Sequence, residues 1–232
     1  MGEPLRELVP GLLWVKEHPV RLAGGRFLTR MTVMRLDDGL CLHSPVEIDA
    51  PVRAAIEALG EVRAIIAPST FHHFFVASAH RAFPAARIYA VEGLAAKRKE
   101  LHFDELLGAE PPPLWVGQMD QVVIGNRIMR EMDFFHRASR TLVATDLVEN
   151  FRDETPGTNA VLRTWMRFFG MWGRPRPAPE LRLFTRDRSA ARQALERVLA
   201  WDFERAVIAH GELLDVEPKE AIREAWRWVL DA

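Results

Sequence analysis

Short apolar runs, four to eight residues each, recur along this chain and are joined in two ways, some by tight turns and others by amphipathic stretches. That alternation constrains the fold more than any other feature, because a tight turn pairs strands antiparallel whereas a helical crossover returns the chain parallel. Leu12–Val15 opens the series, and Met31–Leu36 and Leu40–His43 flank Asp37-Asp38-Gly39, a hairpin turn in which Gly39 takes positive φ. Asp49 then reads as an N-cap, Pro51 suits a first helical turn and Gly60 ends the helix, so the strand Val62–Ala67 follows a crossover. A helical stretch at Val76–Phe83 leads to the strand Arg87–Val91, and Lys97–Leu107 reads as a polar helix before Pro111-Pro112-Pro113. Three close strands come next, Gln121–Ile124, Ile128–Phe135 and Thr141–Thr145, with turns at Gly125-Asn126 and Arg137–Arg140. Strand Leu181–Phe184, a helix Ser189–Ala200 with Asp187 near its start, strand Ala206–Ala209 and a helix from Pro218 to Leu230 complete the order. Two mixed sheets packed face to face with helices outside accommodate this order better than one doubly wound parallel sheet, which the pattern alone leaves open.

Composition narrows the function classes. Lys plus Arg is 31 against 32 for Asp plus Glu, a net charge of -1, so no basic field exists to draw in nucleic acid, and none is expected as a partner. The single cysteine, Cys41, rules out a disulfide framework and multi-cysteine metal clusters. No run approaches 18 apolar residues and the first residues lack a signal-peptide pattern, so the expectation is a cytoplasmic protein with no membrane partner. Its 232 residues suit one domain over 1–232, with an excursion from the core at about 150–180.

Histidine carries the chemical signal. His72 and His73 follow the strand Val62–Ala67, Asp146 ends the strand-like run TLVAT, and His210 ends RAVIA. Taken singly, each has a bland reading as a packed ring, a cap or a loop hydrogen bond. Taken together, they place imidazole and carboxylate donors just past the ends of buried-type strands, a set suited to Zn²⁺ or iron.

The phrases LHSPVEID, APSTFHHFF, FFHRASRTLVATD and VIAHG, with this element order, resemble the metallo-β-lactamase superfamily, and within it a branch known as a domain of unknown function. The resemblance spans roughly Leu12 to His210 and implies an αββα four-layer sandwich, a metal site at one edge and hydrolysis. The superfamily loop reads His-x-His-x-Asp-His. Aligning its last two residues with His72 and His73 puts Pro68 and Thr70 at the first two histidine positions. The first metal site therefore lacks ligands, and the resemblance implies one divalent ion, zinc or iron, held by His72, His73, Asp146 and His210, or no ion.

Strand geometry sorts two further candidates. If the hairpin is centred between Ala138 and Ser139, His136 lies opposite Thr141 and roughly 17 Å from Asp146, too far for a shared ion. The same register puts Glu131 opposite Asp146, as an extra ligand, a general base or a solvated edge carboxylate. The expected activity is metal-dependent hydrolysis of an unidentified small molecule, with Glu131 and Asp146 as catalytic groups. A catalytically degenerate binding protein and an iron-dependent oxidoreductase are the alternatives. The aromatic segment 164–172 reads as a buried helix, a lid or a homodimer surface.

Overall fold

A computed structural model describes residues 3–125 and 129–231. Its elements in chain order are strands β1 (Arg6–Val9), β2 (Leu13–Leu22), β3 (Gly25–Leu36) and β4 (Gly39–His43), helix α1 (Ala50–Leu59), β5 (Val62–Ala67), α2 (Val76–Ala82), β6 (Arg87–Val91), α3 (Leu94–Lys97) and β7 (Glu105–Leu107). The second half holds β8 (Met119–Gly125), β9 (Arg130–His136), β10 (Thr141–Val143), α4 (Ala160–Phe168), α5 (Pro179–Phe184), α6 (Arg188–Ala200), β11 (Arg205–Val207), α7 (Pro218–Ala225) and α8 (Arg227–Leu230). Among the described residues β1 to β7 form one sheet in sequence order, and β11-β10-β9-β8 form a second. Both are mixed: β1 to β4 run antiparallel and β4 to β7 parallel, while β8 to β10 are antiparallel and β11 joins β10 in parallel.

Alternation along β9 explains how the sheets stack. Met132 and Phe134 point into the core shared with the large sheet, beside Met31, Leu42 and Ile65, whereas Phe135 points to the other face. That second face is covered by α6, α7 and α8 through Leu195, Val198, Ile222 and Val229. Helix α6 buries Ala191, Ala194, Leu195 and Val198, the i, i+3, i+4, i+7 stripe of an amphipathic helix, and Asp187 caps it by accepting from Ala190 N at 2.9 Å. On the large sheet, α1 inserts Val52 and Ile56, and Asp49 accepts from Val52 N at 2.9 Å as an N-cap. The result is the four-layer αββα arrangement. Gly39 is required twice over: its φ is +137°, and a Cβ there would sit 2.5 Å from the Glu61 carbonyl oxygen.

Two expected elements differ. Leu181–Phe184 is helical, as α5, because Pro179 starts a turn that buries Leu181 and leaves Leu183 67% exposed; in a strand the two would share a face. Lys97–Leu107 is not a helix. Asp104 binds the backbone of Ile88, accepting at Oδ2 (2.7 Å) and donating its N–H (2.9 Å), which lays Glu105–Leu107 along β6 as an edge strand. The hairpin register Thr141↔His136 is as expected, while Asn126 and Ile128 lie outside the described residues. Among the described residues no helix is long and apolar enough to cross a membrane.

Candidate metal centre

Three strand ends converge at one edge of the sandwich. His72 comes from the loop after β5 in the large sheet, and Asp146 and His210 follow β10 and β11 in the small one. His72 Nε2 stands 3.2 Å from His210 Nε2 and 3.3 Å from Asp146 Oδ2, and His210 Nε2 is 3.5 Å from Asp146 Oδ1. A tetrahedral ion with bonds of about 2.0–2.1 Å requires donor separations of about 3.3–3.4 Å, so the spacing fits one face of such a site. Among the described residues these three form a group able to hold a metal ion.

The far nitrogens fix the rings. His210 Nδ1 lies 3.1 Å from the Leu28 carbonyl, which can only accept, so Nδ1 carries the proton and Nε2 presents a lone pair. His72 Nδ1 meets the Ser44 hydroxyl at 2.8 Å. Ser44 has a left-handed φ of +51° at the end of β4, an uncommon conformation for a non-glycine residue, and its N–H donates to Ile66 O. Phe27 stands edge-on to His210, with ring centres 5.0 Å apart, and Phe151 stacks on it at 6.5 Å.

Electrostatics in this buried group favour a cation. Burial pushes the His210 imidazole down to about 4, keeping it neutral. Burial also opposes a charge on His72, but the Asp146 carboxylate outweighs it and raises the imidazole above its ordinary value. Burial likewise works against an ionised Asp146, and the neighbouring His72 more than offsets it, holding the carboxyl below its usual range.

Of the expected ligands, His73 lies outside the group. Its Nδ1 is 3.3 Å from Phe71 O, its ring tilts against Phe74, and burial lowers it to about 4. Glu131 is neither solvated nor at a sheet edge. It is fully buried in the interior strand β9, where its carboxylate accepts the backbone N–H groups of Thr145 and Asp146, the latter at 2.9 and 3.0 Å. His136 is held at the other end of β9 by Ser139 Oγ (2.7 Å) and Arg35 O (2.8 Å). Pro68 and Thr70, at the superfamily's first two histidine positions, pair with β9 instead: Met132 N donates to Pro68 O and Thr70 N to Arg130 O.

One residue was not picked out from the sequence. Arg30, 5% exposed in the middle of β3, donates to the carbonyls of Ile208 and Gly211 on either side of His210 and pairs with Glu17 at 2.6 Å. A lone arginine inside the run LTRMTVM is the signal that could have marked it.

Comparison with solved structures places the fold. A metallo-beta-lactamase from Pontibacter korlensis is similar over 96% of this chain and 98% of its own, with a TM-score of 0.65 and 11% identity. The metallo-beta-lactamase FIM-1 from Pseudomonas aeruginosa in the mono-zinc form is similar over 98% of this chain and 96% of its own, at a TM-score of 0.62 and 12% identity. A metallo beta lactamase from Erythrobacter litoralis with beta mercaptoethanol in the active site is similar over 98% and 94%, at 0.64 and 13%. No curated protein sequence matches. The chain thus has the metallo-β-lactamase fold. With residues 10–170 matching its family model, it belongs to the family described as a domain of unknown function, DUF4336.

Proposed function

We propose that this chain is a metal-dependent hydrolase with one ion, zinc in the first instance, held by His72, Asp146 and His210. The observation that carries the reading is the convergence of two Nε2 atoms 3.2 Å apart beside a carboxylate, at the separations that one ion's ligands require. Such an ion supplies Lewis acidity and makes water a usable nucleophile near neutral pH. The mono-zinc form of FIM-1, a protein of similar fold, is consistent with a single ion. Ser44 and the Leu28 carbonyl orient the two rings, Phe27 and Phe151 exclude water from His210, and Asp146, held ionised by His72, supplies the anionic ligand. Glu131 positions Asp146 through its backbone and is not the general base, since its oxygens are taken by amide donors. Substrates fitting this chemistry are esters, amides or phosphoesters.

Elemental analysis after loading with zinc or iron and removal of loose ions tests it. The wild type is expected to retain about one ion. His72→Ala and His210→Ala lose it, while His73→Ala and His136→Ala keep it. Equal content in all four variants removes the centre.

A second reading has its own support. The three side chains are only 6–8% exposed, and closed sites more often hold structural ions than catalytic ones. An ion that resists chelator for hours, in a chain inactive on all three substrate classes, would favour a non-catalytic binding protein.

A further inference from the structure

Away from the metal centre, a cleft of about 400 Å³ opens between the excursion segment and the last helices. Arg174, Arg176, Arg182 and Arg227 line it, and Glu224 is the only carboxylate among its described lining residues. That carboxylate is divided: Oε1 lies 3.9 Å from Arg176 and Oε2 3.3 Å from Arg227. Arg174 donates its Nε to Gly170 O at 3.0 Å, and among the described residues neither Arg174 nor Arg182 forms an ion pair. The guanidinium groups feel one another. After burial, which is the largest cause, Arg174, Arg182 and Arg227 each lower the proton affinity of Arg176.

Four positive charges around one negative is an odd local balance in a chain whose net charge is -1. Like charges held this close repel, and a multiply charged anion removes the repulsion. Guanidinium forks match phosphate oxygens two at a time, which makes phosphate the oxyanion best served by several arginines. The volume suits a small ligand rather than a polymer. The rim adds an aromatic face: Phe168 is 84% exposed, and the Trp228 side chain lines the same cleft.

We propose that this cleft binds a small molecule carrying a polyphosphate group, its phosphates between Arg174, Arg176, Arg182 and Arg227 and its flat organic part against Phe168. The site is separate from the His72–Asp146–His210 centre, and the inference stands whether or not that centre is hydrolytic.

Calorimetric titration of the full metal-loaded chain with inorganic pyrophosphate and with ATP tests it. Both probes are expected to bind, and Arg174→Ala combined with Arg182→Ala, two exposed positions, weakens both by about tenfold or more. Phe168→Ala weakens ATP by about threefold or more and leaves pyrophosphate unchanged. His210→Ala, which disables the metal centre, binds pyrophosphate as the wild type does. Absence of binding to the wild type, unchanged affinity in the double variant, or loss in His210→Ala in its place would each overturn the site. Phe168→Ala binding ATP as tightly as the wild type would overturn the aromatic contact.

Discussion

Protonation of His72 would compete directly with an ion at the proposed centre, because the same Nε2 faces both the Asp146 carboxylate and His210. The imidazole is raised above 6.5, so in the metal-free chain its ion pair contributes stability that is full below 6.5 and lost as pH rises through the raised value. A metal-loaded centre behaves in the opposite sense, since it needs His72 neutral, and is lost as pH falls through that value. Melting temperatures of metal-free and metal-loaded protein from about pH 6 to about pH 9 should therefore diverge as pH rises. Parallel curves would count against His72 as a ligand. Glu131→Ala strands two buried amides and should cost about 2–4 kcal/mol in denaturant unfolding, more than a surface carboxylate would. The residues of the centre were legible where a polar side chain ends an apolar run, as at Asp146 and His210. They were not legible at His72 and His73, where two neighbours carry the same chemistry and only the loop decides that one turns inward while the other packs on Phe74.

Elements succeed or fail here according to how much of their order is local. The Asp49 cap, the Gly39 hairpin and the β9–β10 register are set by residues within a few positions, and all were readable. Helix α5 and strand β7 depend on partners distant in sequence, on burial of Leu181 under the small sheet's helices and on the Asp104–Ile88 bonds; Pro179 at the start of α5 is the one local signal, and β7 has none. The excursion shows both sides. Helix α4 turns Leu162 and Met166 onto Phe27 and Phe151 and leaves Val161, Trp165 and Phe168 outside, so it is half of a core helix rather than a buried one. The end of β11 is also held by a distant contact. Gly211 has φ +82° and pairs with Asn150, whose carbonyl oxygen would lie 2.1 Å from an added Cβ. Gly211→Ala must push the two segments apart and displace His210, with an expected loss of about tenfold to a hundredfold in metal affinity by competition with a chromogenic chelator. Arg30→Met, which removes the donors to Ile208 and Gly211 from the opposite sheet, should act in the same direction.

Across the whole molecule, the outer face of the small sheet carries a burden unrelated to metal chemistry. Asp133 is fully buried on β9, where among the described residues no backbone or side-chain N–H reaches either oxygen, and burial, then the adjoining Glu131 carboxyl, raises its carboxyl well above the ordinary range. Its favourable, protonated state is full below the unfolded value near 4 and is lost as pH rises through the folded one. Asp133→Asn keeps the shape without the charge. It should leave stability near pH 4 almost unchanged and gain about 1–3 kcal/mol near pH 8, a rise of roughly 2–10 °C in melting temperature for a chain of this size. A variant less stable than wild type at pH 8 would contradict this assignment.

The two sheets meet at the centre through one imidazole from the large sheet and an imidazole and a carboxylate from the small one. An ion seated there works as a rivet between the halves. By mass action each tenfold rise in free metal above the dissociation constant adds about 1.4 kcal/mol to the folded state. With an ion bound, the resistance of the chain to unfolding would then track the supply of free metal as well as its own sequence.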